Sequence, residues 1–127
     1  FLIPHMKKQK MGKIISILTS YAVNNPPSGL SDYVVAKYSL LGLSKCMAVE
    51  LGKFGIRVNS ISPSIVNTSL IDKLPSKFKE IISSQIPLEN KIAEPSDVAG
   101  VALFLCSDSS NYISGENILL TGGYSMH

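Results

Sequence analysis

The sequence carries little of what covalent or metal chemistry is usually built from. Its two cysteines, Cys46 and Cys106, stand far apart, each alone in an apolar stretch, and no Cys-x-x-Cys pair occurs. Its two histidines, His5 and His127, lie at opposite ends and cannot complete a ligand cluster with them. These absences exclude a disulfide framework and a recognisable metal site, and they predict two buried free thiols in a reducing, cytoplasmic compartment. Charge is also scarce: 17% of residues are charged and the formal net charge is +3. The basic run Lys7, Lys8, Lys10 and Lys13 is short and has one aromatic, Phe1, near it, so it reads as a solvated helix end and loop rather than a nucleic-acid surface. No apolar run reaches the roughly 18 residues that span a bilayer, and the first residues show no secretory pattern. Neither nucleic acid nor a membrane is expected as a partner.

What is present is a globular composition, 45% hydrophobic over 127 residues, about one small domain by length. Residues 1–10 read as the end of a helix with Gly12 as its stop signal. Residues 13–19, Lys-Ile-Ile-Ser-Ile-Leu-Thr, form a continuous apolar run suited to a strand covered on both faces. A loop, Asn24-Asn25-Pro26-Pro27-Ser28-Gly29, follows. Over 31–53 the period becomes helical: Leu40, Leu43, Met47, Leu51 and Phe54 recur at three and four, with Leu41 and Ala48 widening the stripe. That stripe is either core or a subunit interface. A second strand is predicted over 56–62, stopped by Pro63. Residues 64–92 look irregular apart from an amphipathic helix over 76–84. Pro95 opens a further helix, and a last strand spans 117–121 before Gly122-Gly123. Strand, helix, strand, helix, strand predicts an α/β fold with a parallel sheet and covering helices.

Open parallel sheets bind ligands beyond the C-terminal ends of their strands. The residues there are Thr19, Ser20 and Tyr21 after the first strand, and Pro63 to Thr68 after the second. Tyr33 and Lys37 open the long helix. Four residues apart, they share one helix face. A phenol with a pKa near 10 is a poor acid–base at neutral pH. An ammonium held about 4 Å away, at an effective dielectric of about 20, favours the phenolate by roughly 4 kcal/mol as an upper figure. Such a pair suits general acid–base catalysis, and the Ser20 hydroxyl could orient a substrate oxygen toward the phenol. The spacing alone is weak, since chance supplies about 0.4 Tyr-x-x-x-Lys pairs in a chain of this composition. Its weight comes from the conjunction with a strand, a hydroxyl before the tyrosine and a proline turn after the next strand.

That conjunction has a family likeness. Gly12-Lys13-Ile14-Ile15-Ser16-Ile17-Leu18-Thr19-Ser20, then Tyr33-Val34-Val35-Ala36-Lys37, then Arg57-Val58-Asn59-Ser60-Ile61-Ser62-Pro63, then Gly122-Gly123 resembles the short-chain dehydrogenase/reductase family over nearly the whole chain. It looks most like the bacterial 3-oxoacyl-acyl-carrier-protein reductase type. The resemblance implies a Rossmann-like, doubly wound sheet and carbonyl reduction or alcohol oxidation with NAD or NADP. By position, Tyr33 is the proton donor or acceptor, Lys37 acts on Tyr33 and the nicotinamide ribose, and Ser20 holds the substrate oxygen. Pro63, Val66 and Thr68 match the turn that packs on the nicotinamide, carboxamide and pyrophosphate. Residues 69–91 match the variable substrate loop, in which Ile65, Leu70, Leu74 and Ile81 suggest an apolar wall. The full-length form is expected to be a homo-oligomer, a dimer or tetramer, acting on a small-molecule carbonyl or alcohol.

Several departures qualify the likeness. Counting back from Tyr33 selects Ser20 as the orienting hydroxyl, whereas counting forward from Gly12 selects Thr19. Ser64 stands where the family usually has Gly, and Thr121 where Asp commonly precedes the last glycine pair. None of the nine glycines forms a G-x-G-x-x-G or T-G-x-x-x-G-x-G turn, the usual cradle for a pyrophosphate. The expectation is therefore that residues 1–127 are the C-terminal catalytic half of one Rossmann-like domain, with the dinucleotide-binding half lying before Phe1. The alternative is an inactive remnant that serves only in oligomerisation or binding.

Overall fold

The computed structural model describes residues 1–126. Three parallel strands form one sheet in the order β1-β2-β3: β1 Gly12–Ile17, β2 Ile56–Pro63 and β3 Asn117–Leu120. Helix α1, Leu2–Gln9, precedes β1. Helix α2, Ser31–Gly52, connects β1 to β2. Helices α3 Ser69–Asp72, α4 Ser76–Ser84 and α5 Pro95–Cys106 connect β2 to β3. Short 3-10 turns at Ser20–Ala22 and Asp108–Ser110 complete the set. The α/β class, the parallel sheet and the element order expected from the sequence are all present.

Register explains the central position of β2. Gly12 pairs with Ile56 and Ile17 with Ile61, while Ser60 pairs with Asn117 and Pro63 with Leu120. Paired on both sides, β2 is buried along almost its whole length, with Ile56, Val58 and Ile61 at 1% exposure or less. β1 is only half-buried, so the expectation of a strand covered on both faces fits β2 better. Leu51, Ile56 and Val58 form the core, with Ile3, Met6, Ile14, Met47, Ala48 and Phe54 packed on it.

Two polar side chains lock the return to β3. Arg57 donates to the carbonyls of Leu105, Ser107 and Ile113, a cation at the end of α5 where exposed carbonyls favour it. Buried Asn59 donates to the Ile113 carbonyl and accepts from the Glu116 N–H, at 2.9 and 3.0 Å. α5 starts as its sequence suggests, with Pro95 in the first turn and a reciprocal cap between Glu94 and Asp97.

Four expectations are corrected. α1 stops at Lys10, which takes a left-handed φ of 53°, and Gly12 instead begins β1. The absence of a Cβ at Gly12 serves packing, since one would lie 2.7 Å from the Met6 sulfur. On α2, Leu43 points away from the core at 54% exposure, because it lies about 200° round the helix from buried Leu41. The buried face instead carries Leu41, Ser44 and Leu51. α3 interrupts a stretch expected to be irregular. Finally, both Cys46 and Cys106 are exposed.

An unpaired outer edge on β1 and exposed apolar side chains at Val35, Val49 and Leu103 are features that promote association. Residues 1–127 expressed alone are expected to sediment as self-associated species with weak near-ultraviolet circular dichroism. A monodisperse monomer that unfolds cooperatively would contradict this.

Candidate active site

The chain beyond β1 continues in extended form for one residue, and the Leu18 N–H donates to the Ile61 carbonyl at 2.8 Å. It then turns through the 3-10 segment Ser20–Ala22. Thr19 caps that turn, its hydroxyl oxygen accepting from the Tyr21 N–H at 3.4 Å. Ser20 is 2% exposed. Its carbonyl accepts from the N–H groups of Val23 and Asn24 and from the Asn24 side-chain amide. The Ser20 hydroxyl takes part in none of the side-chain hydrogen bonds among the described residues, whereas the Thr19 hydroxyl is engaged in the cap. Both hydroxyls therefore keep their O–H donor, and the Ser20 oxygen is in addition free to accept.

Tyr33 and Lys37 lie in the first turns of α2. The Lys37 Nζ donates to the Ile17 carbonyl at 2.8 Å and sits 5.8 Å from the centroid of the Tyr33 ring. The helix start is thereby tied to the carboxyl end of β1. That distance is near the outer limit of a cation–π contact. One of its three N–H donors is used on Ile17, and two remain. A second polar tie follows two turns on, where the Ser44 hydroxyl donates to the Ser16 hydroxyl at 2.9 Å. Tyr33 is 40% exposed, so its ring has an open side.

The end of β2 supplies the third part. Pro63 is buried, and the Ser64 N–H donates to the Leu120 carbonyl at 3.0 Å. Ser64 does not need the conformational freedom of the glycine usual there, since among the described residues the positive φ values outside glycine are at Lys10, Glu89 and Asn90. Val66 bridges in parallel to Ala93, but the bond that ties them runs from the Asn67 N–H to the Ala93 carbonyl at 2.8 Å. The main-chain amide of Val66 therefore stays outside the chain's own backbone bonding. Thr68 precedes α3 with no side-chain cap bond, so its exposed hydroxyl is also available. A nicotinamide end would meet a free amide, a free hydroxyl and two ammonium donors here, and these donors suit its carboxamide, phosphate and ribose groups.

Sequence reasoning placed Tyr21 after the first strand without a role and did not single out Tyr124. Tyr21, directly after Ser20, and Tyr124, directly after the glycine pair, line a small cavity of about 20 Å³ with Ser64, Ile65, Ile82 and Ile86. Burial raises the Tyr21 pKa above that of an ordinary phenol, and Tyr124 and Tyr33 add to the effect. The available signal was adjacency: an aromatic next to Ser20 and another next to Gly122-Gly123. The apolar wall expected from Ile65, Leu70, Leu74 and Ile81 is only partly realised. Ile65 lines the cavity, but Leu70 is 84% and Ile81 50% exposed. On α4 the neighbouring Ile82 faces inward, a rotation of about 100° from Ile81.

Comparison with known proteins agrees with this architecture. A family model described as enoyl-(acyl carrier protein) reductase matches residues 1–125. The chain is 37% identical over 122 residues to 3-oxoacyl-[acyl-carrier-protein] reductase of Thermotoga maritima, covering 96% of this chain and 49% of that protein. It is 38% identical over 123 residues to dehydrogenase/reductase SDR family member 4 of Homo sapiens, covering 96% of this chain and 44% of that one. A crystal structure of 3-oxoacyl-[acyl-carrier protein] reductase from Brucella melitensis superposes with a TM-score of 0.90 at 26% identity, over 98% of this chain and 47% of the other. The chain thus spans about half the length of the curated relatives it matches. No helix among the described residues is long and apolar enough to cross a membrane.

A raised Tyr21 pKa opposes ionisation in the folded state. Its contribution to stability is complete below the unfolded phenol value near 10 and is lost as pH rises toward the higher folded value. Ultraviolet titration of the folded protein is expected to show a late-ionising phenol that Tyr21→Phe removes. An unchanged titration curve in that variant would show that Tyr21 is not shielded.

Proposed function

The chain belongs to the short-chain dehydrogenase/reductase family, and from that premise we propose that it is the catalytic, C-terminal half of an NAD- or NADP-dependent oxidoreductase that reduces carbonyls or oxidises alcohols. A preceding half of the whole protein would bear the dinucleotide cradle. The relatives make a 3-oxoacyl thioester the first substrate to try. The observation that carries the reading is the hydrogen bond from Lys37, one turn after Tyr33, to the Ile17 carbonyl, three residues before Ser20.

In the reduction direction the bound nicotinamide supplies a hydride for the carbonyl carbon. The Ser20 hydroxyl donates a hydrogen bond to the carbonyl oxygen and orients it. Tyr33 gives its phenolic proton to that oxygen, completing the alcohol. Lys37 offsets the negative charge then left on Tyr33 and offers its two remaining donors to the ribose hydroxyls. When the cofactor is bound, Pro63 would pack against its nicotinamide, the Val66 amide would hold the carboxamide and the Thr68 hydroxyl would meet a phosphate oxygen. In alcohol oxidation the proton runs the other way and Tyr33 accepts it. The outer apolar face of α2, with Val35 and Val49 exposed, suits a homo-oligomer, a dimer or tetramer, and a cytoplasmic enzyme is the setting we propose.

In the full-length protein, Tyr33→Phe is expected to lower carbonyl reduction at least about 10²-fold with little change in folding. Near-normal turnover would remove Tyr33 from the role. Ser20→Ala is expected to cost far more than Thr19→Ala, of order 10²-fold for an oriented hydroxyl acting on the reacting oxygen. Greater damage from Thr19→Ala would reverse that assignment.

A further inference from the structure

We infer that Tyr21 and Tyr124 form a wall that closes the site toward the C-terminal turn and restricts it to carbonyl compounds whose chain on that side is short. The inference rests on the acid–base reading above and adds the size class of the substrate.

The wall is held from both sides. Tyr21 follows Ser20 in the same 3-10 turn, so its ring moves with the hydroxyl proposed to orient the substrate. The proximity of Tyr21 to Tyr33 and Tyr124 is felt in its ionisation. Tyr124 arrives on a turn that two glycines make possible. Gly122 and Gly123 have φ values of 59° and 84°, which side-chain-bearing residues rarely adopt. A Cβ on Gly122 would lie 2.8 Å from Ile86 Cγ2, and one on Gly123 would lie 3.3 Å from the Pro87 ring. The turn is therefore pressed directly against the segment that follows α4. The Leu88 N–H donates to the Gly122 carbonyl and the Tyr124 N–H to the Thr121 carbonyl, both at 3.0 Å. The buried Thr121 hydroxyl donates to the Ser125 carbonyl at 2.8 Å. Thr121, which stands in place of an acid, thus ties down the far side of the turn.

What the wall leaves is small. Between Tyr21, Tyr124, Ile65, Ile82 and Ile86 about 20 Å³ remains, room for about one water molecule. An acyl chain of several methylenes has no room there unless Tyr124 moves. Truncating Tyr124 would open an apolar space lined by three isoleucines, and each methylene buried in such a space contributes about 0.8 kcal/mol.

The test uses the full-length protein and N-acetylcysteamine thioesters of short and long 3-oxo acids for turnover. The matching 3-hydroxy thioesters serve for affinity by calorimetry. Wild type is expected to favour the short member in both. Tyr124→Ala should raise the long-to-short affinity ratio at least about tenfold, the lower range for added methylenes in an apolar pocket. Tyr124→Phe, which keeps the ring, should retain the wild-type ratio. An affinity ratio unaltered by Tyr124→Ala, or altered equally by both substitutions, would overturn the wall. The two claims fail separately. Absence of turnover in wild type on every carbonyl tried would count against the acid–base reading, while the affinity ratios would still decide the wall.

Discussion

The site depends on one constraint, the pinning of α2 across the carboxyl end of β1. A long helix beside a parallel sheet can slide or rotate on an apolar contact, because burial has no direction. Two polar ties remove that freedom: Lys37 to the Ile17 carbonyl and Ser44 to the Ser16 hydroxyl. They set both the axial position and the rotation of α2. Tyr33 lies one turn before Lys37 on the helix so fixed. The same lysine thus positions the helix and stands beside the phenol.

The other strand ends fall in with this arrangement through register. β2 pairs with both neighbours, so Pro63 and the segment after it emerge level with Ser20 and Thr121. Arg57 and Asn59 do for the opposite half what the α2 ties do for the first. They bind the end of α5 and the turn before β3 to the central strand. Ser20 and Lys37 accordingly sit at the carboxyl end of the sheet, while Arg57 and Asn59 act from the first half of β2.

Much of this was legible in sequence where a feature is local. The apolar run after Gly12, the three-and-four period of α2, the Pro95 start and the 76–84 helix each follow from spacing or backbone chemistry. Each appears within a residue or so of expectation. The placing of Tyr33 and Lys37 in the first turns of one helix was legible because a helix puts residues four apart on one face. What sequence hid depends on the other half of a contact. Leu43 counts as apolar in any periodicity, yet only packing against the sheet decides that Leu41 faces inward instead. The exposure of Cys46 and Cys106 is decided the same way. Tyr21 and Tyr124 are more than a hundred residues apart in the chain, and only the glycine turn at 122–123 brings them to one cavity. The end of α1 was read correctly, but its stop signal was assigned to Gly12, because a left-handed cap is usually glycine and a lysine there gives no signal.

The central claim is that Ser20 and Tyr33 act on one substrate oxygen as a unit. A double-mutant cycle of Ser20→Ala and Tyr33→Phe in the full-length protein, read as kcat/KM for carbonyl reduction, tests it most directly. Groups that act together are strongly non-additive, so the double variant should be scarcely slower than the worse of the two single variants. A loss equal to the product of the two single losses would mean that the residues act independently, and would contradict the account.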